Sequence, residues 1–165
     1  MNREWDVNKC ALGVILLSAS LPVQATGQPS FSGTWVLDPK ASVLVDGGMQ
    51  ELELVIAEDH KTIRVSQRFR GTEARYSCTM DGKSTDQVTS GGSVYARSVQ
   101  RETRTLVWQI KMTRGADKAS IAYSERWSLS DEGRILTIHR VYPRGREVLQ
   151  VFNRKHEGVR DTPRD

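Results

Sequence analysis

Over most of its length the chain alternates apolar and polar side chains with a period of two. In RTLVWQIKM, Leu106, Trp108, Ile110 and Met112 fall on one side of an extended backbone, and Thr105, Gln109 and Lys111 on the other. Successive side chains of a strand point to opposite faces, so this is the pattern of a half-buried β-strand. IAYSERWSL repeats it with Ile121, Tyr123, Trp127 and Leu129 inward, and ELELVI does so with Leu52, Leu54 and Ile56. TIRVSQRF sets Ile63, Val65 and Phe69 on one face, and ARYSCTM sets Ala74, Tyr76, Cys78 and Met80 there. In RILTIHRVY the inward set is Leu136, Ile138, Arg140 and Tyr142; Ile135 and Val141 lie opposite, so a one-residue bulge would turn Arg140 outward.

Turn-forming residues separate these runs: Asp46 to Gly48, Glu58 to His60, Asp81 to Lys83, Ser90 to Gly92, Arg114 and Gly115, Asp131 to Gly133, and Pro143 to Gly145. Strands joined by such short links are antiparallel neighbours. No window between 31 and 154 reads as an amphipathic helix. The fold class predicted is all-β, an antiparallel up-and-down barrel of about nine or ten strands, because an open sheet of that width would leave long edges exposed. A two-sheet sandwich is the structural alternative.

The ends of the chain carry other signals. Arg3 and Lys9 precede an apolar run from Ala11 to Leu21, followed by Pro22 and then Val23, Gln24 and Ala25. This predicts a secretory signal peptide over 1–25, a barrel domain over 26–154, and a periplasmic or secreted mature protein. The run is shorter than the roughly 20 residues a membrane span needs, so no stable insertion is expected after cleavage. Glu4, Trp5 and Asp6 are unusual ahead of such a run, which leaves the natural start at Met1 or downstream of it. Residues 155–165 are charged, without apolar periodicity, and are expected to be a disordered tail.

The 165 residues suit one domain. Cys10 would leave with the signal, so Cys78 would be alone in the mature chain and no internal disulfide could form. The net charge of +4 is carried largely by arginine, as a solvated outer face or as an attraction for anions. The basic residues lack interleaved aromatics and a recognition helix, which argues against nucleic acid. His60, His139 and His156 are scattered and give no metal-ligand spacing, and no nucleophile motif or phosphate-cradling loop is present. Glu125 breaks the pattern by standing between Tyr123 and Trp127 on the inward face, where an unpaired carboxylate is costly. It can pair with Arg140 across the hairpin, line a cavity, or serve as a general acid or base.

The stretch FSGTWVLDPK at 31–40 places Phe31, Gly33 and Trp35 on alternate positions. In a barrel, such a glycine admits a close backbone crossing and the indole plugs the closed end. Phe-x-Gly-x-Trp opening a barrel resembles the start of the calycins, the lipocalin and fatty-acid-binding superfamily, and more closely small secreted bacterial lipocalin-like proteins that begin FSGTW-x-L-D. The resemblance implies that an arginine of the last strand, here Arg154, lies across Trp35; otherwise Arg154 is a surface residue at a strand end. It also implies a carboxylate-gripping Arg-x-Tyr, matched by Arg140 and Tyr142. These fall on the penultimate strand, and the link from Asp38 to Met49 is too short for the helical lid of fatty-acid-binding proteins.

The function expected is therefore non-catalytic binding of a small apolar or amphipathic molecule, anionic if Arg140 anchors it, by a monomer with no cofactor and no metal. Candidate ligand residues are Arg140, Tyr142, Glu125, Tyr123, Trp127 and Trp108. Phe31, Gly33, Trp35 and Arg154 form the barrel floor. Two alternatives stand beside it: an envelope interaction or inhibitor module whose barrel is filled, and a small-barrel isomerase or cyclase.

Overall fold

The computed structural model describes residues 29–44, 51–115, 119–130 and 132–155. The signal segment 1–25 and the charged tail beyond Lys155 lie outside the described residues. Ten strands form: β1 Gly33–Leu37, β2 Leu52–Glu58, β3 Thr62–Phe69, β4 Thr72–Thr79, β5 Thr85–Val88, β6 Val94–Glu102, β7 Thr105–Thr113, β8 Ser120–Leu129, β9 Ile135–Val141 and β10 Glu147–Arg154. The single helical element among the described residues is a 3₁₀ turn at Pro143–Gly145.

The strands form one antiparallel sheet in the order β4-β3-β2-β1-β10-β9-β8-β7-β6-β5. First and last strands pair, Trp35 opposite Arg154, so the sheet curls into an up-and-down barrel. Closure is not complete. The ladder is interrupted between β4 and β5, where the expected barrel becomes a nearly closed one. The reason lies in the linking segment: Asp81 bridges to Gln100 and the Gly82 N–H donates to the Val99 carbonyl at 2.9 Å, so the chain leaves β4 and attaches to β6. β5 starts displaced and runs for only four residues. Side chains span the gap: Gln87 Nε2 donates to the Arg75 carbonyl, and Thr85 hydrogen-bonds with Cys78.

Phe31, Trp35, Leu106, Leu136 and Phe152 are wholly buried, and Trp108 and Trp127 nearly so. They fill the end of the barrel that carries the β2–β3, β6–β7 and β8–β9 turns. Trp35 Nε1 donates to the Phe31 carbonyl at 2.9 Å. The Arg154 guanidinium lies 4.2 Å from the centre of the Trp35 ring and donates to the carbonyls of Ser32 at 2.6 Å, Gly133 at 2.8 Å and Ser30 at 3.1 Å. It is thus a plug of the floor rather than a surface residue. Gly33 makes this arrangement possible at φ +141°, but the group it admits is the Arg154 side chain, not a crossing backbone: a Cβ there would sit 2.7 Å from Nη1. An ion pair, Arg101 with Glu58, seals the same end, and Glu58 also accepts the Phe31 N–H at 2.8 Å.

At the opposite end the inward positions are wetter. Ala74 is exposed and Ile121 is 38% exposed, although both were expected inward. Tyr142 lies one residue beyond β9, half-buried at this rim.

Candidate functional site

The β8–β9 hairpin pairs Glu125 with Arg140 and Trp127 with Ile138. No bulge intervenes, so Arg140 faces inward with Leu136 and Ile138. Glu125 is 5% exposed. Its Oε1 accepts from Arg140 Nε at 2.7 Å and Nη2 at 2.6 Å, and its Oε2 accepts from Trp127 Nε1 at 2.8 Å. Both oxygens are engaged, which is how a buried carboxylate avoids the cost of isolation. Arg140 Nη1 donates to the Tyr142 hydroxyl at 3.2 Å, and the Tyr123 and Tyr142 rings lie 5.2 Å apart. Burial opposes the charge on Arg140, but the adjacent Glu125 carboxylate outweighs it and holds the guanidinium above its ordinary value. Burial, assisted by Glu125, pushes the Tyr123 phenol up to about 12.

The structure therefore gathers Glu125, Arg140, Tyr142, Tyr123, Trp127 and Trp108 into one interior. It leaves them little space. Trp108 packs against Trp127 at 5.1 Å and takes the edge of Tyr76 at 5.8 Å. Above them remains a cavity of about 40 Å³, reached by Tyr76, Arg97, Tyr123, Glu125, Arg140 and Gln150. That is room for a water or so and not for an acyl chain.

The larger space lies where β4 and β5 part. A cleft of about 570 Å³ runs from the gap onto the outer face of β2–β4: Val55, Ala57, Arg64 and Arg75 line it from outward positions, Val65, Tyr76 and Cys78 from inward ones, and Thr85, Asp86 and Gln87 stand on the β5 side. Arg97 and Tyr76 belong to this cleft and to the interior cavity, so the two adjoin. Arg97 sits between two rings, 4.4 Å from the centre of Tyr76 and 4.3 Å from that of Tyr95, and donates to Gln87 Oε1 at 3.0 Å. Burial raises the pKa of both the Tyr76 phenol and the Cys78 thiol, leaving neutral groups on this wall. The sequence pattern did not single out Arg97, Tyr95 or Gln87. The signal was present in SVYARSVQRE, where Tyr95, Arg97, Val99 and Arg101 alternate, but two arginines on the inward face disguise the strand.

No family model matches the chain, and no curated protein matches it. Solved structures do. The REP1-NXSQ fatty acid transporter aligns with a TM-score of 0.58 at 11% identity, covering 76% of this chain and 96% of its own. Fatty-acid-binding protein 1 of Echinococcus granulosus aligns at 0.59 and 12%, covering 76% and 98%, and human cRBP IV at 0.57 and 15%, covering 76% and 98%. At such identities the likeness shows the fold alone, an antiparallel up-and-down β-barrel.

Proposed function

We propose that the protein binds a small, mostly apolar or amphipathic molecule without transforming it, in an exported chain of the lipocalin-like kind that FSGTW-x-L-D suggests. The observation that carries this reading is the cleft of about 570 Å³ along the β4–β5 seam. Its volume falls in the range of roughly 300–1,000 Å³ typical of small-molecule sites, and its walls are apolar with a few polar groups placed to orient a guest. The names of two structural neighbours, a fatty acid transporter and a fatty-acid-binding protein, point the same way. Affinity would come from apolar area removed from water, at about 25 cal/mol per Å² before the costs of association. The filled interior, with only about 40 Å³ free, confines the guest to the seam cleft.

That filling also favours a second reading, in which the barrel is a scaffold for an envelope partner. Native mass spectrometry of protein purified from its own host, with titration of cis-parinaric acid and its alcohol, separates the two. A copurified small molecule or saturable fluorescence supports ligand binding. Neither one, with the protein folded by circular dichroism, moves the assignment to the interaction module.

A further inference from the structure

We propose that Arg97 is the head-group anchor of the seam cleft, so that the ligand is an amphipathic anion with a single carboxylate-like head. The inference deepens the function proposed above and rests on it. Arg97 and Arg140 both reach the upper interior, together with one carboxylate, Glu125. That carboxylate is spent: Arg140 holds Oε1 and Trp127 holds Oε2. One positive charge is left over, and it belongs to Arg97.

The guanidinium is positioned rather than neutralised. Tyr76 and Tyr95 flank it, and their rings attract a cation without cancelling its charge. Gln87 accepts from Nη1 and donates across the gap to the Arg75 carbonyl, which fixes Arg97 at the break in the ladder. No carboxylate among the described residues lies within ion-pair distance of it. The other arginines on the cleft are compensated: Arg75 pairs with Glu73 at 2.6 Å and Arg64 with Asp59 at 3.7 Å. Asp86 also touches the cleft, but it alternates with Thr85 and Gln87 along β5, and it is Thr85 that stands opposite Arg97. A planar fork with free N–H groups beside an apolar wall suits a carboxylate carrying a hydrocarbon tail.

The test compares cis-parinaric acid with cis-parinaryl alcohol by fluorescence titration of wild type, Arg97→Gln and Arg97→Lys. Wild type should prefer the acid about tenfold to hundredfold, the worth of a charged hydrogen bond to a carboxylate. Arg97→Gln should bring acid binding down to the level of the alcohol, with alcohol binding changed by less than about twofold because it reports the apolar wall. Arg97→Lys should keep most of the preference. If Arg97→Gln does not fold, the acid-to-alcohol ratio in wild type and its fall in high salt still decide the matter. Undiminished acid binding by a folded Arg97→Gln would place the anchor elsewhere. Equal binding of acid and alcohol by wild type would remove the anchor and leave the cleft, whereas binding of neither would remove the cleft as well.

Discussion

Replacing Glu125 by Gln changes almost no volume and removes one charge from the interior. Arg140, with 18% of its side chain exposed, would then keep its positive charge in a site where Glu125 now meets it through two short hydrogen bonds. Removing one partner of a buried pair costs about 3–5 kcal/mol, chiefly because the other charge stays behind uncompensated. The glutamine oxygen can still accept from the guanidinium, so the lower figure, about 3 kcal/mol, is expected. At a urea slope of about 2 kcal/mol/M this lowers the unfolding midpoint by about 1.5 M, within reach of a protein whose total stability is about 5–15 kcal/mol. Glu125→Leu combined with Arg140→Met removes both charges and should lie within about 1 kcal/mol of wild type. The measurement is equilibrium urea unfolding followed by tryptophan fluorescence. A midpoint shift under about 0.5 M for Glu125→Gln would mean that the pair is hydrated and the upper interior open to water.

Trp35→Ala should cost about 3–5 kcal/mol in the same assay, since a wholly buried indole and its hydrogen bond to Phe31 are lost together; under about 1 kcal/mol would refute the floor as described. Alkaline titration followed at the tyrosinate absorbance should show Tyr123 ionising only near 12, against an ordinary value of 10. Its neutral form is favoured by folding, so the stability it contributes is complete below about pH 10 and lost between about pH 10 and 12; a tyrosinate signal completed by pH 10.5 or so would contradict this. Edman sequencing of exported protein should begin near Thr26, and an intact Met1 in the membrane fraction would overturn the signal peptide.

The hairpin of β8 and β9 was legible because its inward positions alternate in register, and the two that break the apolar pattern, Glu125 and Arg140, stand opposite each other across the turn. The floor was legible from Phe31, Gly33 and Trp35, although alternation alone could not say that Arg154 fills the space above the glycine. The seam was not. Periodicity reports which face a residue takes, and it is silent on which strands exchange hydrogen bonds. The break between β4 and β5 depends on where the chain around Asp81 attaches, a tertiary event. β5 itself, TDQV, has one β-branched apolar residue in four and no inward apolar side chain to mark it. Arg97 went unnoticed for a related reason: a cation in a strand is normally a solvent-facing residue, and only the two tyrosines beside it on β4 and β6 make it an interior one.

The filled floor and the open seam bear on each other energetically. Three buried tryptophans and their aliphatic neighbours concentrate the apolar burial at one end, where the charged groups, Arg154 over Trp35 and Arg101 with Glu58, are all paired or stacked. Stability drawn from that end lets the upper half carry features that are individually unfavourable: a buried ion pair, a second guanidinium with no counter-ion among the described residues, and a ladder left unmade between two edge strands. Such departures from an apolar, fully paired interior cluster where proteins bind. Here they converge on Arg97, which belongs to the interior through Tyr76 and to the gap through Gln87. A guest reaching it from the seam would touch both edge strands and supply the missing negative charge, so the site proposed is also the place where the barrel has most to gain from an occupant.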